Sequence, residues 1–434
     1  MFVKNPSFKQ KLIILMSAVS TLSFTNAYAA GTCDSDLPPK ILNKDVAIQR
    51  LMQCNRDIID IKRAVNGNEA NLKIAGETQN PNLTLGLGEL NPKLGIGSGN
   101  YFDKAVDTSV RYEQLIERGN KRELRMKAAQ SQVAASQQDV TDIERQQSII
   151  LLNAMVDLAA VNERTNLLSE VTMLYQETLR ANTVRAEKGD LPPIDAKRQE
   201  IDANRAQLDL HQAQAEAKDA QLKLAVLLGW ESQANNLQVD SAILDVMPLD
   251  TNGFDVNNRA DIRAAKLRLE AASSGRDISQ AQLKSDVTAG VQYDHWPTTQ
   301  HNTTGTGDTI GFTIGIPLNI NHHFEGEITR ANNDYDTAQD QLERTQANAK
   351  ADWLRINTEI ETAEDNLHIL QSEEMPRAED VARTVELGYK KGALSLLDLL
   401  DARRILRQAR LDVLSARATL ARALLSRNQS ISAN

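Results

Sequence analysis

Two carboxylates near the C-terminal end of the sequence, Asp398 and Asp401, are spaced so that they share one face of a helix. Carboxylates grouped on one face attract cations and repel anions where they surround a constriction. The alternative is a solvated acidic pair beside Arg403 and Arg404, which would contribute little as surface ion pairs. The spacing by itself leaves both interpretations open.

The six histidines are the other candidate ligands, and two arrangements stand out: the adjacent pair His322 and His323, and His295 with His301. Adjacent histidines on a strand or coil rarely converge on one ion, and no second ligand cluster has helical i, i+4 spacing. The sequence contains no nucleophile elbow, H-E-x-x-H motif or P-loop. We therefore predict no bound metal, no cofactor, no catalytic residue and no enzyme activity.

The first 29 residues have the pattern of a secretory signal peptide. Three lysines precede the apolar run Leu12–Phe24, and Ala27-Tyr28-Ala29 fits the small-x-small cleavage rule. The run is too short to span a bilayer, which takes about 20 apolar residues. Cleavage would remove the three lysines and change the net charge from -9 to -12. An acidic chain without a basic run is a poor nucleic-acid partner.

The two cysteines, Cys33 and Cys54, would reach an oxidising compartment after export, which favours a disulfide between them. Closing a loop of this size contributes about 3 kcal/mol of stability. Lipidation of Cys33 is the alternative, but Ala30-Gly31-Thr32 lacks the residues that a lipobox requires. We predict the disulfide.

The elements that position these residues belong to an internal repeat, which occurs twice in the chain. Four features recur 203 residues apart: Leu115 and Leu318, Ala128 and Ala331, Gly189 and Gly392, and Asp195 and Asp398. Each copy has the order helix, strand, loop, strand, very long helix, tight turn, second helix. Residues 120–188 contain neither Gly nor Pro, so a helix of about 100 Å is predicted. Apolar or small residues recur every seven, which is typical of coiled coils. Pro376 predicts a kink or break in the second copy.

Four segments alternate apolar and polar residues, as half-exposed strands do. The predicted apolar faces are Leu83, Leu85 and Leu87; Val106, Val110 and Tyr112; Val287, Ala289, Val291 and Tyr293; and Ile310, Phe312, Ile314, Ile316 and Leu318. Loops around Leu90–Asn100 and Pro297–Gly307 join each pair, and Tyr293 and Trp296 lie at the second loop. No later segment is apolar for long enough to be a spanning helix. Any membrane insertion would use these strands, with several copies sharing one barrel because open edges in lipid are forbidden. A soluble sheet packed on the helices could alternate in the same way.

At this point the ordered set of motifs resembles the TolC-like outer-membrane efflux protein family over nearly the whole mature chain. The chain carries four motifs similar to those of the family: Gln79-Asn80-Pro81-Asn82-Leu83 at the first strand, Arg259-Ala260-Asp261-Ile262 before the second repeat, Gly315-Ile316-Pro317-Leu318 with Gly326 and Ala331, and Tyr389, Gly392, Ser395, Asp398 and Asp401 at the second hairpin tip. The one departure is Ala260, which stands where the family usually has Pro. The general pattern is most similar to the heavy-metal subgroup that is paired with cobalt–zinc–cadmium pumps.

The resemblance implies a mainly α fold with a small β part. In that fold, long coiled-coil α-hairpins form a periplasmic tunnel, and four strands per chain contribute to a trimeric 12-stranded transmembrane barrel. It implies a homotrimer in the cell outer membrane, in contact with lipid and with a large periplasmic portion. The implied partners are a periplasmic adaptor (membrane fusion) protein and an inner-membrane pump of the RND type. By the same resemblance, Asp398 and Asp401 line the pore constriction, and the hairpin tips at Gly189 and Gly392 contact the adaptor.

We divide the chain into a signal peptide (1–29), an N-terminal periplasmic segment and helix (30–78), a first repeat (79–231), a connecting equatorial segment and helix (232–285) and a second repeat (286–434). The predicted function is an outer-membrane channel of a tripartite efflux system, with heavy-metal cations as candidate substrates. The alternatives are a periplasmic adaptor, which would have one hairpin between β-rich domains, and a structural coiled-coil protein.

Overall fold

Long helices and one small sheet make up the chain in the computed structural model, which describes residues 33, 37–88, 106–251, 254–296 and 307–432. The helices are α1 (Lys44–Cys54), α2 (Arg56–Gly76), α3 (Lys121–Glu187), α4 (Pro193–Leu228), α5 (Ala260–Ala281), α6 (Glu325–Ile369), α7 (Met375–Lys390) and α8 (Leu396–Ser432). The strands are β1 (Asn82–Gly88), β2 (Asp107–Ile116), β3 (Val287–Trp296) and β4 (Gly307–Gly315). Among the helices in these ranges, none is long and apolar enough to cross a membrane.

The first long helix, α3, runs for 67 residues without interruption, as the absence of Gly and Pro predicts. It begins after Gly119 and Asn120, which both adopt left-handed backbone conformations, with φ of 74° and 57°. Helix α4 returns alongside α3 and forms the first hairpin. A helix of this length extends about 100 Å, and no ordinary globular core requires it.

The second long helix is interrupted where Pro376 predicts an irregularity, but its path continues. Leu370–Glu374 form a π-helical turn between α6 and α7, and Pro376 lies within the first turn of α7. The extra residue of a π turn opens the i, i−4 ladder and so removes the clash that a proline ring would make there. At the corresponding position of the first repeat, Met173 lies inside the unbroken α3. The predicted local difference between the two repeats is therefore confirmed.

The four strands form one antiparallel sheet in the order β1-β2-β3-β4, so β2 and β3 join the two repeats. The register aligns the predicted apolar residues across the sheet, for example Leu83, Tyr112, Val291 and Phe312 in one row. Two predicted boundaries were wrong. Strand β2 begins at Asp107, so Val106 precedes it and is buried, and β4 ends at Gly315, before Pro317, which cannot donate to a ladder.

The main apolar core lies where α1, the middle of α3, the end of α4 and α8 meet. Fully buried side chains here include Leu51, Leu152, Leu224, Leu228 and Leu237. Two short 3-10 turns in the connecting segment, Glu231–Asn236 and Ser241–Leu244, close one side of this core. A third, Val256–Asn258, lies against α5 and α6. The core thus ties both hairpins together at their ends remote from the tips.

A disulfide between Cys33 and Cys54 fastens the N-terminal segment onto this core. Arg50 lies beside it, donates from Nε to the carbonyl oxygen of Leu228 at 3.2 Å, and stacks over Trp230 at 4.8 Å from the ring centroid. The end of α4 is therefore held to α1 by a charge-assisted hydrogen bond and a cation–π contact, both made by Arg50.

Candidate functional site

The second hairpin tip begins with a glycine turn. Gly392 has φ of 73°, a left-handed conformation that favours glycine, and its amide donates to the carbonyl oxygen of Tyr389 at 3.0 Å. A second glycine, Gly388, was missed in the sequence. A Cβ at Gly388 would lie 2.6 Å from Cδ1 of Leu394, so a larger residue there would require the Leu394 side chain to shift away from α7.

Asp398 caps the N-terminus of α8 together with Ser395, in a capping box. The hydroxyl of Ser395 donates to Oδ2 of Asp398 at 2.7 Å and accepts from the Asp398 amide at 3.2 Å, and the Ser395 amide donates to the same carboxylate at 2.9 Å. The Ser395 hydroxyl, followed by the Ser395 amide, holds the pKa of the Asp398 carboxyl below its usual value. The side chain is exposed, so the carboxylate is both a cap and a surface charge.

Asp401 is also exposed and, among the described residues, its carboxylate forms no hydrogen bond or ion pair. The arginines that follow it point elsewhere: Arg403 donates to Oγ1 of Thr178 at 2.9 Å, and Arg404 to Oδ1 of Asp202 at 2.5 Å. These contacts fasten α8 to α3 and α4. Neither arginine forms an ion pair with Asp401 within the described residues, although the charge of Asp401 still acts on Arg404. Both interpretations of the carboxylate pair therefore stay predictions.

A buried polar network joins the two hairpins just above their tips. The Tyr389 hydroxyl donates to Oδ1 of Asn182 at 3.2 Å and accepts from Nη1 of Arg185 at 3.0 Å. Nδ2 of Asn182 donates to Oε1 of Gln199 at 2.7 Å, and both amide side chains are buried. Because these partners lie on α3, α4 and α7, the network connects three helices.

The first hairpin tip turns at Gly189, with φ of 81°, but it restarts differently. Pro192 precedes α4 and Pro193 is its first residue, so no side chain caps this helix. Asp195, the counterpart of Asp398, lies 3.5 Å from Nη1 of Arg198. The equivalent carboxylate in the first repeat is therefore paired with a cation of its own helix.

The outer end of the molecule is a sheet whose apolar face is the exposed one. Leu85, Ile310 and Phe312 are 71%, 70% and 83% exposed. The opposite face carries charged and polar side chains that are about half-buried, including Arg111 and Asp294. In a sheet packed on helices the apolar face would be the covered one, so this arrangement is the reverse of that in a soluble sheet.

The histidines do not assemble a metal site in the described part of the chain, where no group of three His, Cys, Asp or Glu side chains converges. His295 Nδ1 lies 2.7 Å from Oδ1 of Asp308, and His322 Nε2 lies 2.9 Å from Oε1 of Glu327. His301 and most of the two strand loops lie outside the described residues.

Comparisons with known proteins agree with this architecture. The family described as outer membrane efflux protein matches residues 256–428. The chain is 21% identical over 313 residues to the cobalt-zinc-cadmium resistance protein CzcC of Cupriavidus metallidurans, a match that covers 71% of this chain and 73% of that protein.

Two solved structures share the fold. The outer membrane protein VceC of Vibrio cholerae has a TM-score of 0.72 at 19% identity, covering 89% of this chain and 95% of that one. CusC, whose structures concern folding and transmembrane channel formation, has a TM-score of 0.75 at 15% identity, covering 89% and 91%. The mainly α fold with four strands per chain, predicted from the sequence, is confirmed.

Proposed function

The chain is a member of the outer membrane efflux protein family, and from that premise we propose that it forms the outer-membrane duct of a tripartite efflux system. The observation that carries the proposal is the sheet. Its exposed face is apolar, and the outer edges of β1 and β4 have no partner strand within the described chain. Lipid accommodates the apolar face, but open backbone edges in lipid are forbidden. Three copies, with twelve strands in one closed barrel, satisfy both requirements.

The helices supply the other half of the duct. Helices α3 and α4, and α6–α7 and α8, extend away from the sheet as two hairpins, which in three copies form a tunnel with a large periplasmic portion. The tips at Gly189 and Gly392 face the periplasmic adaptor protein, and through it the inner-membrane pump of the RND type. The two tips differ in sequence and capping, so each contacts the adaptor in its own way. The repeat boundaries 79–231 and 286–434 belong to the same proposal.

The inner mouth of the tunnel is the proposed constriction, lined by Asp398 and Asp401. Both side chains are exposed, and three copies place six carboxylates around one passage. The capping hydrogen bonds from Ser395 favour the ionised form of Asp398, so the charge persists into mildly acidic solution. Such a ring attracts cations and repels anions.

Heavy-metal cations are the proposed cargo. CzcC, to which this chain is similar, is named for cobalt, zinc and cadmium resistance. The acidic inner mouth suits cations without a tight binding site, because conduction requires that an ion leave as readily as it enters.

Two neighbouring substitutions on opposite faces of β4 test the proposal. Phe312→Lys places a charge on the face proposed to meet lipid, which costs about 2–4 kcal/mol near the bilayer centre, whereas Thr313→Lys places it on the polar face. We expect Phe312→Lys to abolish recovery of trimer from outer membranes washed with alkali, and Thr313→Lys to leave it at the wild-type level. Equal recovery of the two variants would overturn the proposal that this sheet lies in the membrane.

A further inference from the structure

The polar face of the sheet has a charge pattern that the proposed duct does not by itself explain. This face carries three acidic side chains, Asp107, Glu113 and Asp294, and one basic side chain, Arg111. Within the four strands as the structure describes them, Arg111 is the only lysine or arginine. A single fixed positive charge therefore lies within an otherwise acidic surface.

Arg111 is held by a row of hydrogen bonds that crosses two strands. Its Nε donates to Oε1 of Gln292 at 2.6 Å, and Nε2 of Gln292 donates to Oδ1 of Asp294 at 2.6 Å. Its Nη1 lies 3.8 Å from Oε1 of Glu113. Gln292 thus links the guanidinium to one carboxylate while a second carboxylate lies on its other side, so the position of the charge is fixed although 44% of the side chain is exposed.

The outer members of the same row, on β1 and β4, are small, which leaves the guanidinium open to the space above the sheet. Thr84 lies opposite Arg111 on β1, and Gly311 lies opposite Gln292 on β4. Large polar side chains are therefore confined to β2 and β3, while the polar faces of β1 and β4 carry only small or short residues. The charges form one band along the middle of each protomer's sheet.

We propose that this band is a second charge-selective element of the duct, at the level of the strands, in which Arg111 weakens an acidic wall that favours small cations. The proposal rests on the proposed function, because it requires the polar face to line a water-filled passage. Each copy contributes three carboxylates and one guanidinium. Conduction needs attraction strong enough for entry and weak enough for exit, and Arg111 moderates the attraction at the band itself.

The local potential can be measured with a single introduced thiol, because both native cysteines are in the disulfide and no free cysteine competes. The probe is Thr84→Cys, in the row of Arg111. Purified protein in liposomes is treated with cationic and anionic methanethiosulfonate reagents, and the ratio of the two reaction rates is compared in three backgrounds: Arg111, Arg111→Gln and Arg111→Lys.

We expect the cation-to-anion rate ratio to exceed one with Arg111 and to rise roughly threefold in Arg111→Gln at 0.1 M salt. It should stay unchanged in Arg111→Lys, which keeps the charge, and the difference should shrink at 1 M salt, where charges act over only about 3 Å. Asp294→Asn should lower the ratio, which gives a test of opposite sign if Arg111→Gln fails to assemble. A ratio that neither substitution changes would overturn the proposal.

A cysteine on the other face separates this proposal from the proposed function. Ile310→Cys lies on the apolar face and should be protected from both charged reagents in liposomes. If it reacts as fast as Thr84→Cys, the sheet does not cross the bilayer and the duct itself is contradicted. Suppose instead that Ile310→Cys is protected and the cation-to-anion rate ratio at Thr84→Cys is the same with Arg111 and with Arg111→Gln. Then the duct stands, and only the proposal of a second charge-selective element is contradicted.

Discussion

The two hairpins come from repeats with the same order of elements, yet they end in tips of different construction. The first tip follows the unbroken α3, and its return helix α4 begins at Pro193, directly after Pro192, where both proline rings fix the backbone φ. The second tip follows a helix with a π-helical turn, and its return helix α8 begins after Ser395 with a capping box. The return helix of the first tip therefore begins with fixed proline geometry and no side-chain cap, whereas that of the second begins with a hydrogen-bonded cap that includes a carboxylate. Solution pH and ionic strength should act mainly on the second.

The opposite ends of the hairpins differ as well. Next to the end of α4, the disulfide lies beside Gly229, where a Cβ would be 3.4 Å from Cβ of Cys33 and 3.5 Å from that of Cys54. The end of α8 is attached by the side chain of Asn428, which donates to the carbonyl oxygen of Met247 at 3.1 Å and accepts from the amide of Leu249 at 3.2 Å. The end of the first repeat thus packs against the disulfide-bonded N-terminal segment, whereas the end of the second repeat is held by hydrogen bonds.

Removing the disulfide should have the largest effect on stability. Cys33 and Cys54 are 21 residues apart in the sequence, and replacing both by Ser opens the loop between them. We expect this to lower the free energy of unfolding by about 3 kcal/mol. Thermal unfolding of the purified variant in detergent measures the loss. The control is Asn428→Ala at the end of α8, for which a loss of about 1 kcal/mol is expected. Peptide mapping of the wild type that found a free thiol or an acylated Cys33 would contradict the disulfide itself.

The link between the hairpins should come next. The substitution Asn182→Ala removes the buried side chain that hydrogen-bonds to both Gln199 and Tyr389. We expect it to lower the free energy of unfolding by about 2 kcal/mol. The matched control is Gln176→Ala, which removes an exposed hydrogen bond to Gln207 between the same two helices, α3 and α4, and should cost under about 0.5 kcal/mol. Equal losses in the two variants would show that burial of the network contributes nothing.

The inner-mouth charges should affect conduction more than stability. In planar bilayers, multivalent cations added from the tip side should block Asp398→Asn combined with Asp401→Asn about tenfold less well than the wild type, because the ring loses its negative charge. Asparagine at position 398 retains an acceptor for Ser395, so the cap is largely kept. Asp195→Asn, the counterpart in the first repeat, should leave the block unchanged. Unchanged block in a correctly assembled double variant would make these aspartates ordinary surface charges.

The smallest expected effect is that of the cap. Ser395→Ala removes the N-cap hydroxyl, which should lower the free energy of unfolding by about 1 kcal/mol, the value for a typical helix. Ser395→Thr keeps the hydroxyl and should keep this stability. Because Ser395 holds the folded-state pKa of Asp398 below its unfolded value, this contribution is complete above the unfolded pKa and is lost as pH falls through the folded pKa. Unfolding measured from neutral to acidic pH should show this loss in the wild type, and a weaker one in Ser395→Ala. The same acid dependence in both proteins would contradict the role of the hydroxyl.

The sequence predicted those features that depend on local patterns. The absence of Gly and Pro predicted α3, and strict alternation predicted which faces of the strands are apolar, because both periods follow from backbone geometry. The S-x-x-D pattern of Ser395 and Asp398 also indicates a capping box, a role of Asp398 beyond the pore or surface charge predicted from its spacing. The form of the irregularity at Pro376, a π turn, depended on how the flanking helices pack.

Contacts between distant residues could not be predicted in this way. Asn182 and Tyr389 lie 207 residues apart, and nothing in either local pattern indicates that they meet. Likewise, the bond from Arg111 to Gln292 depends on the register between β2 and β3, strands that belong to different repeats. Composition could not distinguish Asp195 from Asp398, because their different partners depend on how each tip is capped.

The mass of the complex extracted from outer membranes in mild detergent tests most directly whether three chains share one duct. Corrected for bound detergent, it should equal three mature chains, and the same particles should conduct ions in planar bilayers. The physical reason is that β1 and β4 each leave an edge without a partner strand among the described residues, and another copy of the chain can pair it. A stable, folded single chain of one-third that mass, inserted in the membrane, would contradict the shared barrel.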